Sequence, residues 1–478
     1  MKRFAFFRPG TLIAGVALSL TGCAVGPDYK RPDVATPDHW QSLTQFRQAQ
    51  PADSRQRDAW WEMFGDDALN QLEKKALDHN QELVVAAEHL NQARLQVNAT
   101  ASVQLPSVDA YVSDARFKTS ADRPLATYTT PNFSVVQNNP QLGFTVNYEA
   151  DVFGRVRRLV EGAQAAADQA AADFENTKLL LTTDLAADYL NLRESDQEID
   201  ILQNNVRLQD KALEFIRSRH DLNYATGLDL AQQQALLESS QTQLALLRNQ
   251  RVALQYAIAT LTGTPAPEFE LAVQSHSIEV PNLPVGLPSE LLQRRPDIAS
   301  AERAVAQANA AIGLAKTAYF PSVMLQAGGG WDSNKWSNLV SAPSIMWALG
   351  VAATEHLFDN GKTTANVNMA ESAYAGAVAN YRQHVLVAMQ EVQTGIDGTI
   401  WLNSAHANAR AAVASAEKAF SIANDRYAGG LDIYLNVITT QQTLLANQRQ
   451  ASQIDGQQLL NAVYLVKAMG GGWQGLPQ

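Results

Sequence analysis

The residue with the plainest covalent chemistry is Cys23, the only cysteine among 478 residues. It closes Leu20-Thr21-Gly22-Cys23, behind a basic start (Lys2, Arg3, Arg8) and an apolar run from Thr11 to Leu20. That order reads as a lipoprotein signal: residues 1–22 are removed, and Cys23 takes a diacylglycerol on sulfur and an acyl chain on its new amino end. A run of about ten apolar residues is too short to span a bilayer, which needs about twenty. Ala24 stands where an Asp would favour retention at an inner membrane, so it is compatible with transport to an outer one. A lone thiol leaves no disulfide within the chain and no thiolate metal site.

Other chemistry finds little footing. Gly361-Lys362-Thr363 resembles the end of a phosphate-binding loop, yet His356 occupies the position of that loop's first glycine. The eight histidines, at 39, 79, 89, 220, 276, 356, 384 and 406, form no His-x-x-x-His pair or compact ligand group. No Gly-x-Ser-x-Gly elbow occurs. The sequence therefore predicts no catalytic residue, no metal and no cofactor beyond the lipid on Cys23. Loss of Lys2, Arg3 and Arg8 with the signal takes the formal charge from -11 to -14, which argues against a nucleic-acid partner.

The elements carrying these residues are stated twice. Leu83, Ala86, Leu90, Ala93 and Val97 run into Leu105-Pro106-Ser107-Val108; Ile298, Ala301, Val305, Ala308 and Ile312 run into Phe320-Pro321-Ser322-Val323, 215 positions on. Tyr224-Ala225-Thr226-Gly227-Leu228-Asp229 returns as Tyr427-Ala428-Gly429-Gly430-Leu431-Asp432, 203 positions on. Two equivalent halves of about two hundred residues follow.

Each half holds two alternating, strand-like segments, at 106–118 with 141–153 and at 321–331 with 345–358, joined by connectors read as exposed loops. Their length suits tilted membrane strands, but four strands cannot close a barrel, for which about eight is the minimum. Either several chains pool their strands, or the strands form hairpins of a soluble sheet.

Long helices lie beyond the strands. No proline occurs from Arg155 to about Asn223, and Leu185, Leu192, Ile199, Val206 and Leu213 recur every seven residues, the spacing of a coiled-coil seam. The return runs through Leu230, Leu237 and Leu244, then Leu247, Leu254 and Leu261, with a three-residue step that resembles a stammer. The second half repeats the plan from Lys362 to about Arg426 and from Ile433 to Met469. Polar runs such as Gln232-Gln233-Gln234 and Thr439-Thr440-Gln441-Gln442 suit either a water-filled lumen or a solvated outer face.

In order along the chain stand Cys23-Ala24-Val25-Gly26-Pro27-Asp28-Tyr29, Trp60-Trp61 with Phe64, Asp67 and Leu69, and Leu292-Gln293-Arg294-Arg295-Pro296-Asp297-Ile298. Then come Phe320-Pro321-Ser322, Leu357-Phe358-Asp359 before Gly361, Arg426-Tyr427 before Gly430, and Met469-Gly470-Gly471-Gly472-Trp473. Over nearly the whole mature chain this resembles the TolC-like outer membrane efflux channels, and within them the lipid-anchored OprM/NodT-type branch. The resemblance implies a mainly α fold with membrane β: a homotrimer whose twelve-stranded barrel takes four strands per chain and continues as an antiparallel coiled-coil periplasmic tunnel.

It further implies a passive, gated conduit served by a periplasmic membrane-fusion adaptor and an inner membrane pump of RND type. The expected divisions are 1–22 signal, 23–65 anchored segment, 66–265 first repeat, 266–289 linker, 290–470 second repeat and 471–478 tail. Tyr224, Gly227, Leu228, Tyr427, Gly430 and Leu431 match the family's adaptor-docking tip, with Gly227 and Gly430 expected at positive φ in the reversals. The pore constriction maps to Asp432, Asn436 and Thr439, where amide and hydroxyl groups replace the carboxylates other members carry. Weaker cation preference is expected. Asp229 and Asp432 are alternatively plain helix caps. A protein-secretion channel and a pore-less coiled-coil scaffold remain the other readings.

Overall fold

A computed structural model describes residues 24–37, 40–41, 59–122, 134–274, 278–281 and 294–471. The signal segment, Cys23 with its expected lipid, and the tail beyond 471 lie outside the described residues. The helices are α1 (Asp67–His79), α2 (Gln81–Ala101), α3 (Arg155–Asp221), α4 (Gly227–Leu261), α5 (Pro296–Thr317), α6 (Lys362–Ala428) and α7 (Tyr434–Ala468). The strands are β1 (Ser107–Ser113), β2 (Arg116–Lys118), β3 (Val136–Asn138), β4 (Gln141–Ala150), β5 (Ser322–Asp332) and β6 (Ile345–Thr354). Two compact units result, one of residues 1–32, 91–169 and 302–380, the other of 33–90, 170–301 and 381–478.

The first unit is built on an antiparallel sheet in the order β1-β4-β5-β6. The expected pairs therefore share one sheet, joined by β4 and β5, and the outer edges of β1 and β6 have no partner strand among the described residues. Tyr111, Gly143, Gly330 and Met346 stand in one row across it. A Cβ on Gly330 would lie 2.2 Å from Leu142 O, so only glycine permits that approach. The segment expected as one strand over 106–118 is broken at Asp114-Ala115, where Asp114 Oδ2 accepts from Trp336 Nε1 at 2.9 Å, and the chain resumes as a separate β2–β3 ribbon. The 332–344 connector is more ordered than expected, with two 3-10 turns and a buried Leu339.

Residues 25–29 form a strap over α5. Val25 N–H donates to Phe153 O at 3.1 Å, Arg158 donates to Val25 O at 3.1 Å and pairs with Asp28 at 2.9 Å, Asn309 Nδ2 donates to Pro27 O at 2.9 Å, and the Tyr29 hydroxyl donates to Glu302. Gly26 adopts φ +102°, and a Cβ there would sit 2.4 Å from Gly313 Cα. Under this strap Val305, Ala310 and Ile312 are buried, whereas its repeat counterpart α2 buries only Leu83. The duplication is thus unequal in packing.

The second unit holds the hairpins. Leu185, Leu192, Ile199 and Leu213 are buried along α3, and Ile199 and Leu202 pack with Leu244 and Leu247 of α4 and Leu445 of α7. Leucines on both sides of the three-residue step thus join one core that both hairpins share. Trp60, Trp61 and Phe64 lie buried on one 3-10 turn, and Asp66 caps α1 through Ala68 N and Leu69 N while accepting the Tyr189 hydroxyl at 2.8 Å. Pro296 opens α5. The buried Arg295 beside it donates to Asp297 at 2.7 Å, Glu391 at 2.5 Å and Ala468 O at 2.9 Å, tying α5 to α6 and to the end of α7.

Candidate functional site

The two hairpin turns show how each reversal is made. In the first, Asn223 at φ +62° takes the left-handed position expected of Gly227. Gly227 instead opens α4, because Thr226 and Asp229 form a capping box: Asp229 N–H donates to Thr226 Oγ1 at 3.2 Å, and Thr226 N–H to Asp229 Oδ2 at 2.9 Å. The expectation for Gly227 is corrected on this ground; asparagine enters the left-handed region more readily than most residues that carry a Cβ. In the second turn Gly430 does stand at φ +72°.

Asp432 lies just before α7 and accepts from Ile433 N–H at 2.8 Å, Asn436 Nδ2 at 2.6 Å and Arg426 Nε at 3.1 Å. Those bonds, the backbone one foremost, hold its carboxyl below the usual range. Its charge is thereby matched by Arg426 and its amide neighbour Asn436 is tied down. Thr439 turns its hydroxyl back to Leu435 O at 2.8 Å.

Around the turns, apolar side chains point outward: Tyr224 is 73% exposed, Leu228 66% and Leu431 73%, with Leu222 and Ile433 nearby and also exposed. Tyr427 is half-buried. Its ring lies 5.0 Å from Tyr434, and the Arg219 guanidinium stands 5.2 Å over it.

Below that layer the hairpins are latched. The buried Tyr434 hydroxyl donates to Gln233 Oε1 at 2.8 Å, and Gln233 Nε2 donates to Gln209 O at 2.8 Å, within a core of Ile216, Leu236, Val437 and Ile438. Gln233 and Gln441, read from sequence as facing water, are buried. Sequence reasoning passed over Tyr434 and Arg219 and gave Asn223 and Gln233 no part in the turn; the seven-residue spacing of Tyr427 and Tyr434 across it was the available signal.

This is a duplicated helical-hairpin protein in which three of the four sheet strands are of membrane-strand length, since β4, β5 and β6 hold ten, eleven and ten residues, and β1 seven, against the nine to eleven of a tilted spanning strand. The chain belongs to the outer membrane efflux protein family, whose model matches residues 72–264 and 287–471. It is 29% identical over 461 residues to the cation efflux system protein CusC of Escherichia coli O6:H1 (strain CFT073), covering 96% of this chain and 98% of that one. The pyoverdine export outer membrane protein OpmQ of Pseudomonas putida (strain KT2440) is 28% identical over 460 residues, with 96% of each covered. The solved outer-membrane channel OprN superposes with a TM-score of 0.86 at 27% identity, covering 95% of this chain and 100% of that one. The protein is an efflux channel protein of the outer membrane.

Proposed function

We propose that three copies assemble into the passive outer membrane conduit of a tripartite efflux system, each giving four strands to one twelve-stranded barrel that continues as a helical tunnel. The observation that carries this reading is the open sheet: four strands fall below the roughly eight of the smallest membrane barrels, and the free edges of β1 and β6 are the places where a neighbour would pair. Two features support it. Trp347, Leu349 and Val351 on β6 and Val108 and Val112 on β1 are exposed in a single copy, as is most of α2.

The lipid on Cys23 would hold the chain at the membrane, with residues 25–29 strapping the anchor to the first unit. The exposed apolar residues at Tyr224, Leu228 and Leu431, on turns shaped by Asn223 and Gly430, are the docking face for a periplasmic membrane-fusion adaptor. Asp432, Asn436 and Thr439 form the constriction, and the Tyr434–Gln233 latch keeps the hairpins together until docking. Energy comes from an RND-type inner membrane pump, and pump and adaptor select the cargo. One relative is named for cation efflux and another for pyoverdine export, which supports cations and pyoverdine as candidate cargoes.

Native mass after mild-detergent extraction tests the assembly. Three copies per particle are expected; a persistent monomer with four unclosed strands would overturn the channel arrangement.

A further inference from the structure

Within the helical unit, α3, α6 and α7 gather titratable side chains around a cavity of about 380 Å³, lined among others by Arg193, Glu194, His406, Arg410, Asp455 and Gly456. The two carboxylate oxygens of Asp455 are treated unequally. Oδ2 accepts from Arg410 Nη2 at 2.5 Å, whereas Oδ1 is buried and has no hydrogen-bond partner. His406 Nε2 stands 3.3 Å from that Oδ1, yet it accepts from Arg410 Nε at 3.4 Å. A nitrogen that accepts carries no proton, so the ring is neutral here with its hydrogen on Nδ1. Protonation turns Nε2 from acceptor to donor. It must then leave Arg410 Nε, and the donor that Asp455 Oδ1 lacks is already within reach. His406 is 39% exposed, so solvent protons have access, and histidine is the side chain that changes charge between about pH 5 and 8.

The next residue of α7 meets a second such group. Glu194 of α3 lies across Gly456, where a Cβ would come within 2.6 Å of its Cγ, and Glu194 Oε1 is buried without a partner. Burial, then the charge of Glu198, push its carboxyl up to about 7 against the pull of Arg449. The other charges near the two groups are engaged: Arg193 pairs with Asp196 at 2.9 Å, and Arg449 with Glu198 at 3.3 Å. Asp200 and Glu417 line the adjoining groove beside Arg410 and Asp455, and Ile278 and Val280 bring no charge to the cavity. Proton uptake acts in one sense at both places. His406 gains a bond to α7, and Glu194 loses a buried charge against it.

We propose that residues 455–456 are the seat of a proton-operated clamp: in acid His406 donates to Asp455 Oδ1 while Glu194 lies uncharged on Gly456, so α6 and α3 both grip α7. As pH rises His406 returns to Arg410, Glu194 ionises, and the grip loosens. The same helix carries Tyr434, so the clamp restrains the element that the latch to Gln233 holds near the tip. The clamp goes beyond the conduit reading and does not depend on it.

Hydrogen exchange read by mass spectrometry on the full-length protein in mild detergent tests it, at pH 5.5 and pH 8.0 and corrected for the intrinsic rate. Amides of α7 around 455–456 should be about tenfold more protected at pH 5.5, each contact supplying about threefold, the low end of a net hydrogen bond. His406→Gln keeps an acceptor for Arg410 but takes up no proton, and should reduce the ratio to about threefold. Asp455→Asn, which reaches the same contact from its other partner, should give that ratio too. Adding Glu194→Gln to His406→Gln should abolish the pH dependence. A merely structural role for these residues would shift protection equally at both pH values, and that result would overturn the clamp. Equal protection of the wild type at the two pH values would overturn it as well.

Discussion

Gly26 and Gly65 both hold a left-handed backbone, at φ +102° and +64°, but only Gly26 is also pressed against a neighbour. A Cβ on Gly65 meets nothing within 4 Å, while one on Gly26 meets Gly313 at 2.4 Å. Gly65→Ala should therefore cost only the conformational penalty of about 1–2 kcal/mol, whereas Gly26→Ala should cost about twice that and release the strap from α5. Thermal melting of the two variants decides the matter, and equal losses would show that close approach is not what selects glycine at 26. The Val25-Gly26-Pro27 motif was legible as a family mark, but its reason was not. Gly313 lies 287 positions away, and no local pattern joins the two.

Between elements, the contacts of α3 and α4 with α7 carry the two testable features of the helical unit. Tyr434→Phe removes the donor to Gln233 and leaves a buried acceptor unpaired, at about 1–3 kcal/mol. The expected result is a higher open probability in planar bilayers. Adding Gln233→Leu should restore stability without restoring closure, and a Tyr434→Phe channel as quiet as wild type would remove the latch from the mechanism. Farther along, Glu194 of α3 packs on Gly456 of α7, where a Cβ would come within 2.6 Å of its Cγ. Burial first, then Glu198, push the Glu194 carboxyl from 4.5 up to about 7, against the opposing pull of Arg449. The folded state holds this proton more tightly than the unfolded one. Its contribution is thus fully present below about pH 4.5 and is lost as pH rises through about 7. The melting temperature of wild type should fall more between pH 5 and pH 8 than that of Glu194→Gln; identical slopes would assign the pH dependence to other groups. Helix spacing was readable here because a heptad is a local property, so the α3 seam stands out in the sequence. Polar burial was not, because Gln233 reads like its neighbours Gln232 and Gln234 until α7 is placed beside it.

At the scale of the whole molecule, the tip of the second hairpin presents amides and hydroxyls, and Asp432 is matched by Arg426. Reconstituted channels should give zero-current potentials near zero in a potassium chloride gradient; a strong cation preference would mean that an unmatched carboxylate lines the pore. Removing Arg426 by Arg426→Ala should move the potential toward cation selectivity. The sequence disclosed the duplication and the four strands, since both leave periodic traces. It did not disclose that the halves pack unequally, because the strap that covers α5 and leaves α2 bare is formed by residues distant from both.

The sheet's two bare edges also bear on biogenesis. Among the described residues β1 and β6 have no outer partner strand, so a newly exported copy would offer their edges to any extended chain nearby, and the closure proposed above would require three such copies to meet. Productive assembly then depends steeply on concentration, while mispairing can begin with two molecules. Confinement of the copies to a membrane plane by an acyl chain at Cys23 would raise their mutual concentration. The anchor would thereby act as an assembly factor before it acts as a tether.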